Sequence, residues 1–310
     1  MILPARPLSR VFRVLAICGV MMAATPASAS DEGTIKVDPT AQLTFRLVQS
    51  DLDFDEGEEI DSSGFAVRGE VGLDFDLGET TGARVELEAG HFNYHDATRT
   101  DRTSYGGAVE VEQALSETVK MRLRVRRIEN VGLLEASSAD QTSVGVRFQW
   151  EKGNDRVRLY ADWRDRDYDL TAPANGQGWR FAAQYNRRLG SYKWLRFDAR
   201  WEEITSENSP RRNFERTVLR VEYSQPVAKR LRLRPSIEYR EWSYDDRIAR
   251  GDPQRDLRQD SYVAPRLELA YGRSIGLYGE ASIEYRLRSS NDVRFDSDAI
   301  RAGLTVGFRF

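Results

Sequence analysis

Apolar and polar residues alternate with a period of two along most of the chain from residue 39 onward. In the segment 64–77, Phe65 and Leu73 fall on one face, whereas Glu70 and Asp74 fall on the other. Successive side chains of a β-strand point to opposite faces, so this pattern predicts strands with one apolar and one polar face. Fourteen segments of this kind are predicted, at residues 39–49, 64–77, 83–93, 104–114, 119–128, 141–151, 156–166, 178–187, 192–203, 214–225, 231–243, 261–271, 275–288 and 299–310.

The connections between these segments are alternately short and long. Short ones are predicted near residues 79–82, 115–118, 152–155, 188–191, 226–230 and 272–274, and Lys152-Gly153-Asn154-Asp155 is typical of a hairpin turn. Longer polar ones are predicted near residues 50–63, 94–103, 129–140, 167–177, 204–213, 244–260 and 289–298. Short periplasmic turns and longer extracellular loops are typical of membrane-spanning barrels. We therefore predict an all-β protein, a transmembrane antiparallel up-and-down β-barrel of about fourteen strands. A soluble β-sandwich is the alternative fold.

The first 29 residues have the features of a cleaved secretory signal peptide. Three arginines precede an apolar stretch at 14–24, and Ala27-Ser28-Ala29 forms a small-residue cleavage site. The apolar stretch is too short to cross a bilayer as a helix. We therefore expect a signal peptide at 1–29, export through the Sec pathway, and a single barrel domain at 30–310.

The composition of the mature chain agrees with a barrel whose interior is polar. The only cysteine, Cys18, leaves with the signal peptide, so no disulfide is expected. Removal of that peptide leaves 43 basic and 49 acidic residues, and no run of 18 apolar residues follows it. This excludes a helical membrane protein, whereas a barrel strand needs only alternate apolar residues. Nucleic-acid binding is not expected, because the chain is acidic overall.

The last predicted strand carries apolar residues at every second position and ends on Phe310. These residues are Ala302, Leu304, Val306, Phe308 and Phe310. The strand resembles the terminal strand of Gram-negative outer-membrane β-barrels. In that family the terminal aromatic strand is recognised by the barrel-assembly machinery, which implies an assembly signal at Phe308 and Phe310. The resemblance also implies an outer-membrane location, with outer-membrane lipid and lipopolysaccharide as partners.

The strand count is similar to that of monomeric fourteen-stranded porins of the OmpG type. Two stretches resemble a broader group of porin-like barrels: Tyr244-Asp245-Asp246-Arg247 with Arg255-Asp256, and Tyr285-Arg286-Leu287-Arg288-Ser289-Ser290-Asn291 with Asp296. Some barrels of that group serve the export of surface lipoproteins or exopolysaccharide. The resemblance therefore implies a porin-like channel, and the alternative is the barrel component of an export or assembly system without channel function of its own.

The inward face of the predicted barrel is rich in charge. Pore-lining acidic residues are predicted on strands two to four: Glu70, Asp74, Glu86, Glu88, Glu110 and Glu112. Pore-lining basic residues are predicted from strand five onward: Lys120, Arg122, Arg124, Arg126, Arg147, Arg158, Arg196, Arg200, Arg220, Arg232 and Arg234. Fourteen strands are more than side chains alone readily fill, so we expect a water-filled lumen.

An acidic wall facing a basic one sets up a field across such a lumen, and rings of arginine favour anions. We therefore expect passive diffusion of small polar solutes, anionic or zwitterionic ones preferred, acidic sugars among them. In the alternative interpretation, neighbouring charges neutralise each other, as Glu110 and Glu112 do if they pair with Arg122–Arg126. Such pairs narrow or block the pore.

Catalytic and metal sites have weak support in the sequence. The only histidines lie near the outer rim, with possible hydrolase companions close by: His91, His95, Asp96, Thr98 and Ser104. No nucleophile–base–orienter arrangement follows from this spacing, and no third metal ligand is evident. The acidic residues of 51–61 are read as a solvated loop, with a divalent bridge to lipopolysaccharide phosphates as the alternative. We expect no enzyme activity, no cofactor and no metal.

Overall fold

The computed structural model describes residues 36–48, 63–95, 100–132, 138–169, 174–272 and 275–310. The predicted signal peptide, the acidic residues 51–61, Asp96 and Thr98 lie outside them. Fourteen β-strands are present: β1 Lys36–Val48, β2 Gly64–Asp76, β3 Thr81–Tyr94, β4 Arg102–Ala114, β5 Val119–Val131, β6 Ala139–Lys152, β7 Asp155–Tyr168, β8 Ala174–Gly190, β9 Lys193–Ile204, β10 Phe214–Ala228, β11 Leu231–Ile248, β12 Leu257–Gly272, β13 Gly276–Ser290 and β14 Ser297–Arg309. A short 3₁₀ turn at Pro210–Arg212 precedes β10. Across the described ranges, no helix has the length and apolar character needed to cross a membrane.

Each strand pairs with its sequence neighbours in antiparallel register, and β1 pairs with β14 to close the barrel. The predicted fourteen-stranded up-and-down barrel is therefore confirmed. At the closure, Phe45 lies opposite Val306 and Leu43 opposite Phe308. The backbone amide of Phe310 also donates to the carbonyl of Ala41 at 2.9 Å, so the end of the chain is attached to β1.

The alternating faces of the strands separate an apolar outer surface from a charged interior. Large apolar side chains such as Leu123 and Leu219 are about half exposed, and their sequence neighbours point the other way. Because the sheet is closed, the alternate residues that are apolar and exposed form the outer face of the barrel. This face meets lipid in a membrane. The Phe308 and Phe310 rings lie on this face, 4.6 Å apart.

Several aromatic side chains on the outer face bond to carboxylates near the long-loop end of the barrel, the extracellular end by the usual barrel polarity. Tyr239 donates to Glu241 at 3.0 Å, and Tyr285 donates to Asp298 at 3.1 Å. Aromatic rings with one polar tip favour the water–lipid boundary. These pairs therefore mark the outer edge of the apolar band. Tyr262, another tyrosine near a strand end, instead points inward and is buried.

The strands extend further at the extracellular end than the alternation predicts. β11 continues to Ile248 and β12 begins at Leu257, so the connection predicted at 244–260 is shorter than expected. The reason is that apolar side chains no longer point outward beyond the apolar band. Trp242 and Tyr244 point inward there and are buried. Strand segments outside the bilayer place apolar groups inside, as a soluble barrel does. The hairpin at Gly153 is confirmed, with φ +62°.

Candidate functional site

The charges predicted for the interior of β2 to β5 form ion pairs with one another or with other arginines on these strands. Arg124 contacts Glu86 at 3.1 Å, and Arg126 contacts Glu88 at 2.5 Å. Further pairs join Lys120 to Glu112 at 2.8 Å, Arg122 to Glu110 at 3.3 Å, Arg122 to Glu112, Glu70 to Arg68 at 2.8 Å, and Asp74 to Arg84 at 2.8 Å. The expected acidic wall does not face a basic wall across the lumen here, because the opposite charges lie close together on nearby strands. The alternative, mutual neutralisation, describes this part of the barrel.

The basic residues predicted beyond β5 differ in their partners. Three of them form ion pairs: Arg196 with Asp198 at 2.7 Å, Arg234 with Glu268 at 2.8 Å, and Arg220 with Glu222. Two donate to neutral groups: Arg158 to Gln149 at 2.8 Å and Gln184 at 3.1 Å, and Arg232 to Ser224 at 2.8 Å. Arg147 stacks on the Tyr160 ring at 4.5 Å. Within the described ranges, the Nε atoms of Arg147 and Arg200 are buried and have no hydrogen-bond partner.

The extracellular part of the interior is packed with aromatic rings and arginines, which we call the aromatic–arginine layer. Tyr262 is 2 % exposed, and its ring contacts the guanidinium groups of Arg286 at 4.2 Å and Arg240 at 5.1 Å. Cation–π contacts of this kind strengthen when the cation is desolvated. Other inward side chains buried in this layer are Phe92, Ile128, Gln141, Tyr168, Ile204, Phe214 and Trp242. These buried side chains therefore narrow the lumen at its extracellular end.

A buried ion-pair cluster supports the layer. Glu202 is 1 % exposed, contacts Arg164 at 3.0 Å and also pairs with Arg216. Asp260 is buried as well and accepts from Ser290 at 2.6 Å and Arg288 at 3.0 Å. Removing one partner of a buried pair leaves an uncompensated charge. These contacts therefore fix the side chains of the layer in one arrangement.

A cavity of about 540 Å³ lies on the periplasmic side of this layer, in the middle of the barrel, and we call it the arginine cavity. Twelve arginines and five carboxylates line it. Seven residues of the predicted pore-lining set are among them: Glu110, Arg122, Arg124, Arg147, Arg196, Arg200 and Arg220. The volume falls within the range of small-molecule sites. Basic side chains dominate the wall, although the conduction role predicted for them stays a prediction.

Sequence reasoning missed two residues that line this cavity, and it did not show which of the cavity's charges pair. Tyr160 and Ala182 line it, and neither carries a charge that marks it as an interior residue. Arg180 binds Asp162 through two nitrogens at 3.0 and 3.1 Å. An oxygen of the Asp162 carboxylate lies only 1.9 Å from the position that a Cβ at Gly145 would take, so the absence of a side chain there leaves room for this carboxylate. Alternation placed these residues on the correct face, but only the strand register shows which of them meet.

The histidine-based site is not assembled. His91 points outward and bonds Thr103 at 3.0 Å, whereas Ser104 is on the inner face of the same neighbouring strand. The backbone amide of His95 donates to the carbonyl of Ser63 at 2.9 Å. No group of three potential metal ligands occurs in the part of the chain that the structure describes. This arrangement gives no support to a rim hydrolase.

No protein-family model and no curated protein matches this sequence. Solved structures do match. A loop-deletion mutant of OmpT, an outer membrane protein of Vibrio cholerae, superposes with a TM-score of 0.55 at 11% identity, over 89% of this chain and 99% of that one. The outer membrane channel DcaP of Acinetobacter baumannii gives 0.51 at 12% identity, over 92% and 100%. A bacterial polysaccharide outer membrane secretin gives 0.50 at 9% identity, over 88% and 98%.

The chain has the fold of the porin-like outer-membrane β-barrels. At these identities the likeness concerns the fold alone. It supports an outer-membrane location, because the matching structures are outer-membrane proteins.

The two stretches that resemble other porin-like barrels both contact the beginning of β12 at the extracellular end. Arg258 contacts the Tyr244 ring at 4.8 Å, and the side chain of Asn291 donates to the carbonyl of Leu257 at 2.9 Å. The Asn291 side-chain oxygen also accepts from the backbone amide of Gln259 at 2.9 Å. These residues therefore connect β11, β12 and the loop after β13, which gives them a structural role in this barrel.

Proposed function

We propose that this protein is an outer-membrane channel for passive diffusion of small polar solutes, with a preference for anionic or zwitterionic ones. The observation that carries this proposal is the arginine cavity, whose wall holds twelve arginines and five carboxylates. Rings of basic side chains in a confined pore raise the local concentration of anions and favour their passage. The excess of positive charge lies in the middle of the barrel, where every permeating solute passes.

The carboxylates of the cavity reduce this positive field only in part, because arginines already engage them. Asp162 is held by Arg180, and Asp198 by Arg196. Each such pair is locally neutral, so the remaining guanidinium groups determine the sign of the field. The aromatic–arginine layer narrows the path beyond the cavity, which favours solutes of monosaccharide size over large ones.

Swelling of liposomes that contain the purified protein tests this proposal. Glucose, glucuronate and glucosamine are similar in size and differ in charge. We expect glucuronate to enter faster than glucosamine, with glucose between them. Absence of swelling in all three solutes contradicts the channel, and faster entry of glucosamine contradicts the anionic preference.

The second candidate function is the barrel component of a surface export or assembly system. The observation that favours it is the dense packing of the aromatic–arginine layer, where inward side chains such as Ile204 and Asp260 are fully buried. A barrel that serves as a scaffold requires no open path. Purified protein without conductance, combined with co-purification of an envelope partner, supports this second function over the first.

We also propose how the chain reaches the outer membrane. It is exported through the Sec pathway, and the barrel-assembly machinery then recognises Phe308 and Phe310. The folded barrel contacts lipopolysaccharide. The outward position of both rings on the final strand supports the recognition step. No catalytic role is proposed.

A further inference from the structure

One row of inward side chains crosses five neighbouring strands of the arginine cavity, β6 to β10. The register places Arg147 opposite Tyr160, Tyr160 opposite Ala182, and Ala182 opposite Arg200. On the next strand Val218 lies opposite Arg200. Neighbouring strands are about 4.8 Å apart, so this row forms one continuous strip of wall. We call these five residues the arginine recess.

The recess has long side chains on either side of a short one. Ala182 stands between Tyr160 and Arg200 in the row and presents only a methyl group. Stacking of the Arg147 guanidinium on Tyr160, at 4.5 Å, orients this group at one end of the row. Arg200 stands on the other side of Ala182, and the short side chain of Val218 follows it at the other end of the row. The strip is therefore a shallow depression flanked by two guanidinium groups.

The carboxylates near the recess are engaged elsewhere. On the strand of Arg200, Asp198 binds Arg196 at 2.7 Å and accepts from Gln184 at 2.9 Å. Glu202, on the other side of Arg200, contacts Arg164 at 3.0 Å. Each acid next to Arg200 is thus bound to a different arginine.

Asp162, the acid next to Tyr160 on the inner face, is likewise held by Arg180 at 3.0 Å. The Nε atoms of Arg147 and Arg200 are buried and lack a hydrogen-bond partner among the described residues. An oxyanion matches the planar donor fork of a guanidinium, and the carboxylates next to the recess bind Arg164, Arg180 and Arg196. The terminal donors of Arg147 and Arg200 can therefore turn to an acceptor that arrives through the lumen.

We propose that the arginine recess is a binding site for the oxyanion group, carboxylate or phosphate, of a sugar-sized solute inside the channel. The oxyanion bonds to Arg200 or Arg147, and the rest of the solute lies against Ala182 and Val218. This inference rests on the proposed function, because a solute reaches the recess through the lumen. It names the chemical group that the channel recognises and the residues that recognise it.

Calorimetric titration of the detergent-solubilised protein tests the site without any need for conduction. The probes are glucuronate, glucose 6-phosphate and glucose. We expect the two anions to bind and glucose not to bind. Binding of only one anion also supports the site, and it identifies the carboxylate or the phosphate as the group recognised.

Substitutions separate the recess from the general charge of the lumen. Arg147→Gln and Arg200→Gln should each weaken anion binding by about tenfold or more, because each removes a charged hydrogen-bond donor. Arg200→Lys keeps the charge but loses the fork, so binding should weaken while ion selectivity remains. The control is Arg188→Gln, which removes a basic side chain exposed at the periplasmic end of β8, and it should leave binding unchanged.

The outcomes distinguish this inference from the proposed function. Anion-preferring conductance, combined with anion binding that neither Arg147→Gln nor Arg200→Gln changes, overturns the recess and leaves the channel standing. Absence of conductance, combined with binding lost in both variants, overturns the channel and supports the recess. Equal binding of glucose and glucuronate also overturns the recess.

Discussion

The closure between β1 and β14 depends on one glycine, and its replacement should destabilise the barrel. The ring of Tyr278 on β13 crosses over Gly307 on β14 and reaches β1. There its hydroxyl shares a hydrogen bond with Thr44 at 2.5 Å and accepts one from Gln42 at 3.1 Å. A Cβ added at Gly307 stands 2.3 Å from two atoms of the Tyr278 side chain and 2.6 Å from the carbonyl oxygen of Leu43. Gly307→Ala therefore displaces the ring.

The cost of this displacement follows from what the ring loses. Tyr278 is 6 % exposed, so moving it disturbs a packed site, which costs about 1–3 kcal/mol. Loss of the two hydroxyl bonds adds about 0.5–1.5 kcal/mol each. We expect Gly307→Ala to lower the free energy of unfolding by about 2–6 kcal/mol. Tyr278→Phe, which keeps the ring and loses only the two hydroxyl bonds, should cost about 1–3 kcal/mol.

Urea unfolding of the barrel in detergent micelles, followed by tryptophan fluorescence, measures this change. Gly279→Ala is the matched control, because its added Cβ meets only the carbonyl oxygen of Thr305 at an ordinary 3.4 Å. The control should stay within about 1 kcal/mol of the parent protein. Equal stability of Gly307→Ala and Gly279→Ala refutes the role assigned to the Tyr278 ring.

Three further predictions concern the interior and one loop. Tyr262→Ala removes a buried ring from the aromatic–arginine layer, so single-channel conductance should rise, and stability should fall by about 3–5 kcal/mol; unchanged conductance contradicts the narrowing. Glu202→Gln leaves two buried arginines without their carboxylate partner and should lower the free energy of unfolding in urea by about 3–5 kcal/mol. An unchanged free energy of unfolding shows that the cluster is not needed for stability. In the loop after β13, hydrogen bonds from the Arg294 side chain hold the pKa of Asp292 well below its ordinary value. Because the folded-state pKa is depressed, this carboxylate stabilises the loop above its ordinary pKa of about 3.9, and the contribution is lost as the pH falls below that value. Hydrogen exchange at the Val293 amide should show this acid-dependent loss in the parent protein and not in Asp292→Asn.

Alternation was sufficient to predict the strands, because lipid imposes a strict rule on one face of each strand. Segment 64–77, with Phe65 and Leu73 outward, corresponds to β2. The rule ends where the barrel leaves the bilayer, so the extension of β11 to Ile248 was missed. Trp242 and Tyr244 point inward there, and the outward side no longer carries apolar residues. Without that alternation the sequence does not distinguish a strand from a loop.

The candidate site was predictable only as a list of inward charges. Alternation indicates that Arg147 and Arg200 face the interior, but strand boundaries inferred from sequence are uncertain by several residues. A shift of the register changes every cross-strand neighbour. The placement of Ala182 beside Arg200 and of Tyr160 beside Arg147 therefore required the structure. The same holds for the ion pairs that occupy Asp162 and the other carboxylates.

The most direct test of the account is the reversal potential of the purified protein in a planar lipid bilayer with asymmetric potassium chloride. The arginine cavity predicts measurable conductance and a reversal potential whose sign corresponds to chloride being more permeant than potassium. A reversal potential of the opposite sign, or a bilayer that stays silent with correctly folded protein present, contradicts the account.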